Sequence, residues 1–415
     1  MKKIFVYGLI IVFWSALAVC GAEEIIIGTL FDHSGALKDW GPRHQKAAEL
    51  AAKHLAAAGL QVVFVNEDSQ TAPEPAKKAA QKLIEQNVVA ILGSSSSGVI
   101  VPVAESVTCP NNVLMVSPGA TSPYITGLPQ DSQKDLLFRT CPSDALQGAV
   151  LGKLAAGLYK TASVMYVNNA YGQGLADQFR RSFQKHGGLV FTMIPHTETV
   201  AKSYKEDLRK AFTRVFSTKP YISGKSEVLC AFSYPEQAKI YVKEAIDDYG
   251  CKQFLFSDGT KSEELAQAVG IENVEGMFGT APGMAVGEAF FSFSSDYEAD
   301  YGELPKSPFI ANTYDAAAVI GLAAGAVIAK KLPLTSETVR NHLREVANPP
   351  GIFIGPGEFE KAWELLRAGK NINYEGASGS VDFDQNGDVV TPIEIWRFSN
   401  GKISTFRMEY HADED

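Results

Sequence analysis

Short apolar runs alternate with amphipathic stretches of helical period from residue 25 to 116, and the same rhythm restarts near residue 145 and continues to 257. The first series predicts strands at 25–30, 61–66, 88–92 and 113–116, with helices at 42–58, 73–86 and 100–108. The second predicts strands at 162–167, 189–194, 227–232 and 253–257, with helices at 145–158, 172–186, 204–216 and 235–249. Near-continuous apolar strands separated by helices specify parallel sheets with right-handed crossovers. Two such series in 415 residues exceed what one hydrophobic core usually serves, so an α/β chain of two lobes is expected. After residues 279–282 the rhythm changes. A small-residue helix ending at 329, another at 336–346, a short helix within 358–368 and a last hairpin turning at Asn400-Gly401 are expected there.

The N-terminus reads as an export signal. Lys2 and Lys3 precede an apolar stretch over 4–19, then Cys20-Gly21-Ala22 and Glu23-Glu24, which places a cut after Ala22. A lipid anchor through Cys20 is the alternative, disfavoured because Val19 is bulkier than the residue usually found before such a cysteine. The net charge of −9, with no Lys/Arg cluster, argues against nucleic acid as a partner. No later stretch is expected to span a membrane: the apolar run over 316–329 falls short of the ~20 residues needed. Four cysteines remain beyond the signal, an even number in an oxidising compartment. Three connectivities are open; sequential pairing, Cys109–Cys141 and Cys230–Cys251, closes the most local loops.

Catalytic signatures are missing. The sequence holds no G-x-S-x-G, phosphate-binding GK[ST] loop, H-E-x-x-H or complete G-x-G-x-x-G, and its seven histidines are scattered. No enzyme activity, cofactor or metal is expected. Asp382, Asp384, Asn386 and Gly387 begin like a calcium loop, but its twelfth position is Ile393 where a bidentate Glu is required, so a β-turn is the better reading.

Binding chemistry is better represented. Ser94 to Ser97 lie between Gly93 and Gly98, after one predicted strand and before a helix, where hydroxyls and free N–H groups make a neutral cradle for an anion. N-capping explains one serine but not four. Ser117-Pro118-Gly119-Ala120-Thr121-Ser122-Pro123 follows the next strand with the same character. Both loops sit at carboxyl ends of parallel strands, where open α/β sheets bind ligands. The second series contributes Tyr171 and Tyr234 just past strands, and Asp258; the first loop contributes Trp40. If Asp258 faced the serines across a cleft, it would neutralise an ammonium while they held a carboxylate.

Five segments, I-I-I-G-T-L-F-D-H-S-G from Ile25, G-S-S-S-S-G, S-P-G-A-T-S-P, N-N-A-Y-G-Q-G and D-x-N-G-D, together resemble the leucine/isoleucine/valine-binding proteins of ABC importers. The resemblance implies a type I periplasmic binding fold: two Rossmann-like lobes with parallel sheets, joined by a three-stranded hinge near 142–144, 279–282 and 388–392. Lobe 1 would comprise 23–142 with 280–388, lobe 2 143–279 with 389–408, and 409–415 an acidic tail. It also implies Ser95, Ser97, Ala120 and Thr121, with the neighbouring Ser96, around a ligand carboxylate. Trp40, Tyr171 and Tyr234 would line the closed cleft, and Asp258, where Glu is usual, would meet an ammonium. The expected protein is a periplasmic monomer that delivers an amino acid, or an amide, urea or aromatic acid, to membrane permease subunits. A sensor subunit of the same fold is the alternative.

Overall fold

The structure is a computed structural model that describes residues 23–213, 225–283 and 287–410. The export signal with Cys20, the 214–216 end of one predicted helix and the tail beyond 410 lie outside the described residues.

Strands β1 (Ile25–Phe31), β2 (Val62–Asp68), β3 (Ala90–Gly93), β4 (Met115–Ser117) and β5 (Leu137–Arg139) form one sheet in the order β2-β1-β3-β4-β5, parallel throughout. β6 (Thr161–Val167), β7 (Leu189–His196), β8 (Val228–Phe232), β9 (Phe254–Phe256) and β10 (Phe278–Pro282) begin a second sheet. β11 (Ile352–Ile354), β12 (Ile372–Gly376) and β13 (Gly379–Ser380) make a small third sheet. β14 (Ile393–Ser399) and β15 (Lys402–Glu409) return antiparallel to the edge of the second, giving β15-β14-β10-β9-β8-β6-β7. Asn400 and Gly401 close that hairpin with φ of 52° and 72°, the left-handed conformation a tight hairpin turn requires.

The inner strands of each main sheet are covered on both faces, which is why β3, β4, β8 and β9 are buried along their whole length. β8 shows the sorting: Val228, Cys230 and Phe232 join the core beneath helices Asp144–Leu158 and Ala170–Lys185, while Leu229 and Ala231 join the core beneath helix Pro235–Tyr249. Helix Ile310–Ala329 packs against helix Gly41–Ala57 in the first sheet's core. By length and hydropathy it could cross a membrane, longer than the sequence run suggested, but its apolar window is wholly buried inside the protein. The chain passes between the two main sheets after β5, after β10 and before β14, which gives the three-stranded hinge.

The expected disulfides are not formed; all four thiols are free. Cys109 sits in the core on one face of the first sheet, whereas Cys141 is buried in a core of the second. Cys230 and Cys251 lie toward opposite faces of the second sheet, and the Cys251 thiol points to the Gln253 carbonyl at 3.6 Å. Burial pushes the Cys109 thiol up to about 12 and that of Cys251 to about 11, which keeps them protonated. Parity of cysteines said nothing about which core each would enter.

Asp384 accepts from the N–H groups of Asn386 and Asp388 at 2.7 and 3.0 Å, so D-x-N-G-D is a side-chain-stabilised turn.

Candidate ligand cleft

Strand order fixes where a site can form. In the first sheet the order reverses at β1/β3, and in the second at β6/β8; loops leaving neighbouring strands there diverge and open a crevice at their carboxyl ends. The loops after β1 and β3 carry Asp32, Trp40 and Ser94–Ser97. Those after β6 and β8 carry Asn169, Tyr171 and Tyr234. These loops meet face to face.

Their contact is close. Ser96 Oγ lies 2.9 Å from Tyr234 Oη, Ser122 Oγ donates to the Ala170 carbonyl at 2.7 Å, and Asn169 Nδ2 holds Glu198 at 2.7 Å and Tyr234 at 3.1 Å. Gly98 is what lets the surfaces approach. A β-carbon there would stand 2.3 Å from Glu198 Oε1, 2.5 Å from Asn169 Nδ2 and 2.9 Å from Asn169 Cβ. Gly98→Ala is therefore expected to hold the lobes apart and weaken ligand binding by roughly tenfold, about 1.4 kcal/mol. Small-angle scattering with saturating ligand checks this: a variant as compact as the parent would contradict it.

All nine residues singled out in the sequence lie in this seam, each less than a tenth exposed: Trp40, Ser95, Ser96, Ser97, Ala120, Thr121, Tyr171, Tyr234 and Asp258. Tyr171 and Tyr234 stack at 5.6 Å. Trp40 packs on Phe309 at 5.8 Å and on His44 at 6.0 Å, and all four aromatics share one core cluster. Tyr171 Oη also donates to Asp258 Oδ1 at 2.8 Å.

The four serines divide their tasks, and none caps the helix Ser97–Val103 through its side chain. Ser94 Oγ donates to Asp32 and accepts from the Ser96 N–H. The Ser95 N–H also points to Asp32, at 3.3 Å, and Ser69 adds a third donor. Even so, burial raises the Asp32 carboxyl to about 6. Ser95 Oγ lies 2.8 Å from His44 Nδ1, and His44 Nε2 lies 3.1 Å from the Pro308 carbonyl. A carbonyl only accepts, so Nε2 carries the ring proton, Nδ1 is bare, and Ser95 donates to it. Burial lowers the His44 pKa to about 4, so this arrangement holds at neutral pH. The Ser95 hydroxyl thus turns lone pairs, not its proton, toward other partners. Ala120 N–H bonds Ser117 Oγ, and Thr121 Oγ1 donates to Asp144 Oδ2 at 2.8 Å. Ser97 Oγ accepts from the Ser122 N–H at 3.1 Å, which leaves its own proton to donate. Thr121 N–H has no hydrogen-bond partner among the described residues.

Sequence reasoning missed Asp32, His44, Asp144, Gln147 and Phe309. Gln147 Nε2 donates to Asp258 Oδ1 at 2.7 Å. Burial raises the Asp258 carboxyl; burial, then the charge of Asp258, raises that of Asp144. Behind the cleft, buried Arg139 grips Asp388 with Nε at 2.7 Å and Nη2 at 2.9 Å, and its Nη1 holds the carbonyls of Ala120 and Ser122 at 3.2 and 2.9 Å. This guanidinium ties the loop 120–122 to the segment that crosses between the sheets before β14.

A family model described as "Receptor family ligand binding region" matches residues 43–401. The chemotactic signal transduction system substrate-binding protein BasB of Halobacterium salinarum is 27% identical, over 92% of this chain and 89% of its own. An amino acid binding protein of Pseudomonas aeruginosa is 27% identical over 70% of this chain and 78% of its own. Among solved structures, a leucine binding protein of Thermotoga maritima superposes with a TM-score of 0.74 at 22% identity, covering 94% of this chain and all of that one. A Rhodopseudomonas palustris solute binding protein in complex with benzoate gives 0.72 at 18% identity, covering 94% and 98%. The chain belongs to the receptor-family ligand-binding-region proteins and has the fold of the branched-chain amino-acid type of ABC substrate-binding protein.

Proposed function

We propose that this protein captures an amino acid outside the cytoplasm by closing two lobes over it and presents it to the permease of an ABC importer. The observation that carries this reading is the polarity of the buried seam. On one side Ser97 and Thr121 keep donors for a carboxylate; on the other the buried Asp258 offers a carboxylate to an ammonium, and stacked aromatics lie between. In this reading lobe 1 is 23–142 with 280–388 and lobe 2 is 143–279 with 389–408. Residues 1–22 are removed on export to the periplasm, and the mature protein acts as a monomer.

A thermal-shift screen of the proteinogenic amino acids and simple amides tests it. A ligand at 100 times its Kd stabilises the native state by about 2.7 kcal/mol, a readable rise in melting temperature. At least one amino acid should produce that rise without being consumed. No shift from any amino acid would refute the amino-acid reading, and turnover would replace binding with catalysis. A second reading, a ligand sensor feeding a membrane receptor, is favoured by the likeness to the chemotactic protein of Halobacterium salinarum; pull-down of the ligand-loaded protein with permease or receptor membranes separates the two.

A further inference from the structure

A second hollow lies beside the second sheet, where helices Asp144–Leu158 and Ala170–Lys185 touch over their middle turns and then part. A β-carbon on Gly148 would stand 2.6 Å from Gln178 Cβ, and one on Gly152 2.6 Å from Ser182 Cβ. Ser182 Oγ also donates to the Ala149 carbonyl at 2.6 Å. At Gly157, by contrast, a β-carbon would meet nothing within 4 Å. Arg407 and Glu409 of strand β15 complete the lining of a cleft of about 490 Å³, within the roughly 300–1,000 Å³ of small-molecule sites. Both helices start at the seam and line this cleft with their C-terminal halves. Gly157 therefore stands roughly 20 Å along the helix axis from Asp144.

Helical spacing sorts the lining into stripes. Val150, Leu154 and Leu158 form an apolar wall with Lys153 beside it, and Leu158 is 48% exposed. Arg181 and Lys185 form the facing stripe and have no ion-pair partner among the described residues. Four basic side chains, Lys153, Arg181, Lys185 and Arg407, thus stand against one carboxylate, Glu409, which bonds Arg407 Nε at 2.7 Å. This basic cleft belongs to a chain whose net charge is −9. Helix ends favour cations, and His186 is used that way, its Nδ1 donating to the Ser182 carbonyl at 2.8 Å. That preference does not explain basic groups drawn from three elements around an apolar wall.

We propose that this cleft is a second ligand site, which takes a phosphate ester with an apolar body. The phosphate sits among Arg181, Lys185 and Arg407, and the body lies along Val150, Leu154 and Leu158. A guanidinium matches phosphate oxygens with two parallel N–H donors, and the body removes leucine surface from water. A phosphate monoester carries about 1.5 to 2 negative charges at pH 7, which answers several cations better than a single carboxylate does.

Calorimetry on the whole protein tests this with naphthyl phosphate, and with naphthol and inorganic phosphate as its two halves. Naphthyl phosphate should bind at least about tenfold more tightly than either half, and more weakly as salt rises. Gly157→Glu places a carboxylate in the open part of the cleft and replaces a helix glycine, so the fold should hold. Arg181→Gln removes an exposed guanidinium that holds no partner. Each variant should weaken naphthyl phosphate by about tenfold or more. Vesicles identify the source of the ester. Cosedimentation with phosphatidylglycerol but not phosphatidylcholine vesicles, lost in both variants, supports the site and makes the ligand a lipid. Naphthyl phosphate binding without cosedimentation supports it and makes the ligand a soluble ester. No binding of naphthyl phosphate, equal affinity for inorganic phosphate, or unchanged affinity in both variants overturns the proposal. So does displacement of naphthyl phosphate by an amino acid that stabilises the protein, which would put the probe in the seam.

Discussion

Replacing Arg139 with methionine is expected to destabilise the protein by about 3–5 kcal/mol, the usual cost of removing one partner from a buried ion pair. The guanidinium is wholly buried and satisfies both oxygens of Asp388, the Thr126 hydroxyl and two carbonyls of the loop 120–122. A thioether fills similar space but leaves the Asp388 carboxylate uncompensated and two carbonyls without donors. Adding Asp388→Leu should restore part of the loss, since removing both charges is far cheaper than removing one. Urea denaturation of the three proteins measures this. A single-variant loss below about 1 kcal/mol would show that water reaches Asp388 and that the hinge does not depend on the pair.

Asp258→Asn should reduce affinity for an amino-acid ligand by 2–5 kcal/mol, roughly thirtyfold to several thousandfold, because truncating a buried, hydrogen-bonded charge pair strands the ligand's ammonium. The neutral amide still accepts from Gln147 and Tyr171, which now bond Oδ1 at 2.7 and 2.8 Å, so the fold should survive. A plain carboxylate or an amide should be spared. The pH dependence has a definite sign. Burial raises the Asp258 pKa, a protonated carboxyl cannot pair with an ammonium, and an ammonium lowers that pKa, so binding releases a proton. Affinity is therefore full above the raised pKa and falls as pH drops through it, and Asp258→Asn should flatten this part of the profile. Equal affinities in parent and variant would remove Asp258 from the ligand.

The two-lobed architecture was legible because a single rule, apolar strand then amphipathic helix, held along both series. It stopped where that contrast fails. Helix Glu288–Tyr301 is built from serines and aromatics of modest helix propensity and carried no clear signal. β11, β12 and β13 are two to five residues long, too short for a period to show. In the cleft, Trp40, the serines, Tyr171, Tyr234 and Asp258 could be named because each follows a strand end, a place defined by topology. His44 could not, since one histidine on an alanine-rich helix looks like any core residue. Asp144 fell within the expected hinge crossing at 142–144, just ahead of a helix expected from 145; the helix instead begins at Asp144, capped by the Ser143 hydroxyl. What distinguishes Asp144 is a partner, Thr121, on another loop, and an oxygen with none, and neither fact exists in one dimension.

We propose that the seam between the two sheets holds a small molecule with its nitrogen toward Asp258. A crystal structure of the protein purified without refolding, in the presence of the amino acid that most raises its melting temperature, tests this most directly. The prediction is density in the seam with a nitrogen within about 3 Å of the Asp258 carboxylate and a carboxylate near Ser97 and Thr121. A ligand bound elsewhere on the protein, or seated in the seam with its nitrogen turned away from Asp258, would contradict the account.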